Sequence, residues 1–585
     1  MKIFNMKAFK VIALLLSMAT IFEACKKDDV AVVPVPTVSG TSTLSGTAGT
    51  TVQIKATINA PGGVKSVVIL KNGAPFDTKT GAGEKTLDYT KDYVIENIAA
   101  GSVVNFTVQV TDQSNQVSAL TTIPVTVTAV AAKQIVVVSG NLEGNITWTA
   151  DKIYKLSGFV RLGEEKTFGT ITKTAVLTIQ PGTLVIGERS TKGTLIVQRG
   201  SKLIAEGTAD KPIIMTSERA VGEREAGDWG GLVICGKAPN NLPDNQANRE
   251  LEGGYGAFHG GTDAADNSGS LKYLRVEYAG IPINPNQEVN ALTFGSVGSG
   301  TQIDYVQASY GLDDSFEWFG GTVNAKHLIA YKGLDDDFDT DNGFSGYVQF
   351  GLGIRGAQQA DQSGSNGFEC DNDANGSSNT PYTSAIFANM SIIGAKGSSN
   401  IAISTNFQNG AQLRRNNKQK IYNTVITGYP NGIYIDSQKG DAKGNALKGD
   451  IDLQNVVLAG VDGWGANGYG DTFATNPKGF AIADKEQSAA ATDILIGTKK
   501  PSEWFLGLAG NKSLANASTL GLSSTLWTSG RPTLVLAAGS ALLGASFPTT
   551  LPAFFTKTDY IGAFKDTDWT TGWTEFSPNG VTYIK

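Results

Sequence analysis

The sequence predicts an all-β chain: a small antiparallel sandwich followed by a long parallel solenoid. Three observations carry this. First, a unit repeats at a spacing of 22 residues, GLDDSFEWFGG (311–321) against GLDDDFDTDNG (333–343). The alignment sets Gly311 on Gly333, Asp313 on Asp335, Phe316 on Phe338 and Glu317 on Asp339. A period in this range marks an array whose units bury their apolar faces on one another. Second, from Ile135 onward short apolar strands end in glycine, as in YLRVEYAG (273–280), YVQASYG (305–311) and HLIAYKG (327–333). No helical periodicity separates them, which argues against a wound α/β sheet. Third, TVQIKATI (51–58), VKSVVILKNG (64–73) and VVNFTVQVTD (103–112) alternate polar and apolar residues between glycine turns.

Bulk properties narrow the function classes. With 585 residues the chain is too long for one compact core, and 70 glycines with 41% hydrophobic residues describe a folded, turn-rich β protein. A net charge of −6, with no basic run past the N-terminus, argues against nucleic acid as a partner. Only two histidines occur, His259 and His327, which disfavours His-ligated zinc and histidine-centred catalysis. Cys235 and Cys370 read as buried small hydrophobes rather than a disulfide.

The N-terminus carries Lys2, Lys7 and Lys10, then the apolar run 11–22, then Glu23-Ala24-Cys25. This is a secretory signal over 1–24, with an apolar stretch too short to remain as a membrane span. A cysteine at the cut resembles the bacterial lipoprotein signal, which implies lipidation of Cys25. Lys26-Lys27-Asp28-Asp29 resembles the surface-export signal of Bacteroidota lipoproteins, and implies an outer-membrane protein facing outward. Residues 25–37 (with VAVVPVPT) are an extended linker. Residues 38–130 are expected to form an immunoglobulin-like sandwich acting as a spacer.

The solenoid is assigned to 135–500 as a right-handed parallel β-helix, since propeller blades repeat at about 40–45 residues. Over 135–585 the ordered motifs ITWTADKIYKLSG, LTIQPGTLVIG, GDWGGLVICGKAP, DDSFEWFGGTVN and GAFKDTDWTTGWTEF resemble a family of bacterial surface lipoproteins with a parallel β-helix. The resemblance implies fold and location; that family has no settled activity. Residues 501–585, with Trp504, Trp527, Trp569 and Trp573, are expected to end and cap the solenoid.

The chemistry concentrates between 303 and 373. With Phe316, Phe338 and Phe368 inward, alternation turns Asp313, Ser315 and Glu317 outward on one coil. Asp335, Asp337, Asp339 and Asp341 follow on the next, and Glu369, Asp371 and Asp373 on the third. Stacked carboxylates raise one another's pKa or take a counter-ion, and oxygen-only ligands select Ca²⁺. Asp335-x-Asp337-x-Asp339-x-Asp341 and Asp371-x-Asp373-x-Asn375 place oxygens on every second residue before a glycine turn. The second lacks the bidentate acid of an EF-hand, having Tyr382 in its place. The expected function is a lipid-anchored binding or adhesion protein for a polysaccharide or for an outer-membrane partner such as a TonB-dependent transporter. The alternative is an enzyme of the β-helix type: a polysaccharide lyase, with Arg355, Arg414, Arg415 or Lys418 as candidate bases, or a glycoside hydrolase working through paired Asp/Glu residues.

Overall fold

A computed structural model describes residues 32–584, except 130–131, 244–248, 286, 397–401, 461–481, 485, 487–493, 515–516 and 529. Cys25, the signal segment and the Lys26–Asp29 tetrad lie outside the described residues. No described helix is long and apolar enough to cross a membrane. The chain divides into two compact units, 1–132 and 133–585.

In the first unit, alternation dictates a two-sheet sandwich. Strand Thr51–Asn59 buries Ile54, Ala56 and Ile58 on one side and exposes the residues between them. It pairs antiparallel with Thr37–Gly40 and Thr86–Val94. The second sheet runs in the order Leu44–Gly46, Thr121–Val127, Val103–Asp112, Val64–Lys71, Ala74–Thr80. Both sheets contribute to one core, with Ile54, Ile58 and Tyr89 from the first and Val67, Phe106 and Ile123 from the second.

The second unit is a parallel β-helix. Among the described residues the chain alternates between a 17-stranded and a 10-stranded sheet, so that Gln302–Ser309, Asn324–Tyr331 and Tyr347–Ile354 stack in one. Phe316–Gly321, Phe338–Asp341 and Phe368–Cys370 stack in the other. The 22-residue register holds as read: Phe316 pairs with Phe338 and Glu317 with Asp339. Inside, the Phe316 and Phe338 rings lie 5.6 Å apart, and Phe338 and Phe368 lie 5.8 Å apart. Each buried ring covers its neighbour, so the column is continuous apolar packing along the helix. Cys235 and Cys370 are buried and unpaired, in line with the expectation.

One strand position per coil of the larger sheet is left-handed: Tyr273, Tyr305, His327, Phe350, Asn389, Asn423 and Asn455 all have φ between 45° and 63°. Paired strands skip the same position and resume in register, so these residues form a stacked column of kinks. The aromatic members stack, Tyr273 on Tyr305 at 4.6 Å and Tyr305 on His327 at 4.2 Å. The asparagines donate instead to the C-terminal segment: Asn455 to Ser546 O at 2.7 Å, and Asn389 to Tyr560 O at 3.2 Å.

That segment departs from the expected cap. Helix Pro501–Leu506 buries Trp504 and Phe505 into the end of the main core. The later residues run back along the larger sheet as a strap. Gln349 donates to Thr556 O, Gln307 to Glu575 O and Arg224 to Pro578 O. Trp573 is 1% exposed and packs edge-on against Tyr273 and Tyr305, while Phe564 and Phe576 join Tyr331 and Ile354. Trp527, Trp569 and Trp573 therefore cover sheet.

Candidate functional site

The ten-stranded sheet carries a polar ladder two residues before each inward-facing position. Its rungs are Asn290, Asp314, Asp336, Asn366, Asn409 and Asn431, all 0–6% exposed. Buried rungs must be hydrogen-bonded to be tolerated. Asn431 Nδ2 donates to Asn409 Oδ1 at 2.7 Å, and Asn409 Nδ2 to Asn366 Oδ1 at 3.0 Å. The backbone N–H of Asn366 donates to Asp336 Oδ1, and that of Asp336 to Asp314 Oδ1 at 2.8 Å. Two rungs of an amide ladder are thus carboxylates.

Three residues past each rung, the outward position of the strand holds Glu317, Asp339 and Glu369, paired in register on adjacent strands. Adjacent strands stand about 4.8 Å apart, so the carboxylates of neighbouring coils meet. Their oxygens gather into three overlapping groups, each within 4.8 Å: Asp313, Asp314 and Asp335; Asp314, Glu317 and Asp339; Asp336, Asp339 and Glu369. Among the described residues, none of Asp313, Asp314, Glu317, Asp335, Asp336, Asp339 or Asp341 forms an ion pair. Oδ1 of Asp335 and Oδ1 of Asp339 are shielded from solvent and have no hydrogen-bond partner.

Burial and then neighbouring carboxylates drive the acids up. Asp313, Asp314, Glu317, Asp336, Asp339 and Asp341 are held well above the ordinary carboxylate range. Asp335 is pushed up to about 6 by burial, helped by the charge of Asp361 and opposed by the Ser363 hydrogen bond. Such a set either takes up protons or is neutralised by a cation. Carboxylate oxygens alone, several with no other partner, suit a hard ion such as Ca²⁺. Beside them opens a cleft of about 620 Å³ lined by Glu252, Glu288, Asp313, Asp335 and Asp361, with Leu312 as its apolar wall.

Not every residue singled out from the sequence reaches this face. Asp337 precedes its strand, in a bend where strand alternation does not yet apply, and turns inward. It pairs with Arg355 at 2.9 Å, both side chains 0% exposed, and accepts from Tyr429 Oη at 3.1 Å. Asp341 is half-buried above Phe319 and accepts from the N–H of Asn342. The Asp371–Asn375 stretch does not converge on one point. Asp371 is bound by Arg414 at 2.9 Å and Arg415 at 2.6 Å, and Arg414 also reaches Glu369. Asp373 accepts from the N–H groups of Asn375 and Ser377, while Asn375 is exposed. Asp314 and Asp336 were missed by alternation. The signal was their shared offset from the inward residue, two before Phe316 and Phe338, as Asn366 stands before Phe368.

A family model described as "Pectate-lyase like beta helix domain" matches residues 140–507. Among solved structures, the pectate lyase Pel3 of Pectobacterium carotovorum matches at 9% identity and a TM-score of 0.11, covering 60% of this chain and 89% of that one. A fibronectin(III)-like module structure of CbhA from Clostridium thermocellum matches at 20% identity and a TM-score of 0.14. That match covers 17% of this chain, which spans about half (48%) of the module chain's length. No curated protein matches the chain.

Proposed function

The chain belongs to the pectate-lyase-like β-helix family, and from that scaffold we propose a calcium-dependent polysaccharide-binding protein of the cell surface. One observation carries the reading: a register of largely buried carboxylates whose protein counter-charge, among the described residues, is confined to Arg414 at Glu369, and which includes two shielded oxygens without a partner, beside an open cleft. Asp314, Glu317, Asp336, Asp339 and Glu369 would hold calcium, and the ion would supply positive charge to a sugar carboxylate or hydroxyl in the cleft. A polyuronate is the natural first probe, because its repeated carboxylates match a face that is acidic until calcium is bound. The lipid anchor at Cys25, an outer-membrane location and a spacer role for residues 38–130 complete the reading. A TonB-dependent transporter is the alternative partner.

Binding is favoured over lyase chemistry by the state of the candidate bases. Arg355 is locked on Asp337, and Arg414 and Arg415 are held by Glu369 and Asp371. A general base must reach the proton it abstracts. The test passes the purified full chain over immobilised polygalacturonate, neutral glucans and chitin, with calcium and with chelator. Calcium-dependent retention without new unsaturated or reducing ends is expected. Appearance of those ends would establish the enzyme instead. Equal passage over every polymer would refute polysaccharide binding.

A further inference from the structure

The ladder shows how the protein neutralises this row of acids where it does so by itself. At one end, Asn290 turns its Nδ2 to Glu317 and also to Thr293 Oγ1 at 3.3 Å. At the other, Asn366 Nδ2 stands 3.3 Å from Glu369 Oε2, and Arg414 adds its charge to the same carboxylate. In both coils the amide of the rung supplies the positive end of a dipole to the acid row. The two coils between them have carboxylates as rungs, Asp314 and Asp336, and a carboxylate has no N–H to give. There the rung faces further acids: Asp314 meets Glu317 and Asp339, and one coil on Asp336 meets Asp339 and Glu369. The second group is the first advanced by one coil, since Glu317 pairs with Asp339 and Asp339 with Glu369. Asp339 is common to both, and its shielded Oδ1 has no other partner.

Resting on the calcium reading above, we propose that the register holds two calcium ions in adjacent coils. One is bound by Asp314, Glu317 and Asp339, the other by Asp336, Asp339 and Glu369, with the Asp339 carboxylate bridging them. Each ion takes the place that an amide nitrogen fills in the coils on either side. The backbone N–H bonds to Asp314 Oδ1 and Asp336 Oδ1 leave the second oxygen of each rung to its ion. A bridging carboxylate lets two like charges sit one strand spacing apart, because it screens each from the other. The third group, Asp313, Asp314 and Asp335, differs in kind: it borders the cleft, and Asp335 Oδ2 already accepts from Ser363 at 2.8 Å.

The test is calcium stoichiometry of the full chain, by titration calorimetry after chelation and by metal analysis of the loaded protein. Two ions per chain are expected in the wild type. Asp314→Asn and Asp336→Asn should each retain one, and Asp339→Asn none. The asparagine variants rebuild the rung found at Asn366 and Asn409, so each should melt in chelator no lower than the wild type, which separates lost binding from lost fold. One ion in the wild type, three ions, or loss of both ions in Asp314→Asn would overturn the two-ion assignment while leaving calcium-dependent binding intact. No bound calcium at all would overturn both.

Discussion

Asp337 and Asp339 lie two residues apart and have opposite fates. Asp337 is held inside by Arg355 and Tyr429, whereas Asp339 lies in the acid row with no donor on its Oδ1. Breaking a buried pair strands the remaining charge, so Asp337→Ala should lose about 3–5 kcal/mol of stability, equally in calcium and in chelator. Denaturant unfolding in both media checks this. Asp335 gives a prediction in pH. Its folded pKa of about 6 lies above the unfolded value of 3.8, so the chelated protein keeps this group's contribution below about pH 4 and loses it as pH rises through about 6. His259 acts in the opposite sense: burial, with the Arg249 charge beside it, lowers it from 6.5 to about 3, so its contribution fades as pH falls below 6.5. His259 is common to both samples, and subtraction removes it. Asp335 is not among the proposed ligands and cancels in the same way. Asp314, Glu317, Asp336 and Asp339, however, are themselves held well above the ordinary carboxylate range and must shed protons to take the ion. The difference in melting temperature between calcium-loaded and chelated protein should therefore widen from pH 4 to pH 7, and a constant difference would contradict the assignment.

At the scale of the element, strand and turn obey different rules. Phe316, Phe338 and Phe368 were legible as a column because DSFE (314–317), DDFD (336–339) and NGFE (366–369) set like residue types around each ring. Asp337 was misplaced because period-two alternation begins only at the first strand residue, Phe338. The Asp314 and Asp336 rungs hide inside Asp-Asp runs, where composition does not say which acid faces in. The strap could not be read at all. Its bonds join single side chains to backbone far along the chain, as Gln307 to Glu575 O, and no local pattern records such pairs. Trp573, buried against the aromatic column of kinks, anchors it. Trp573→Ala should cost about 3–5 kcal/mol, with increased protease cutting in the residues after 545. Unchanged protection there would mean that the strap is held by its hydrogen bonds alone.

For the whole molecule, a solenoid turns a short sequence repeat into a line of equivalent positions, and the same translation that stacks phenylalanines stacks acids. Neighbouring coils close that line with Asn290 at one end and with Asn366 and Arg414 at the other. The family supplies the scaffold, and the acid register supplies what is particular to this chain. Its central claim is that calcium neutralises the register. The direct measurement is thermal melting of the full chain at about pH 7, in calcium and in chelator, with wild type beside Asp339→Asn. Ligand binding to the folded state alone raises stability, so calcium should raise the melting temperature of the wild type by several degrees and leave Asp339→Asn unmoved. Identical melting of the wild type in both media, with no calcium in the purified protein, would contradict the claim.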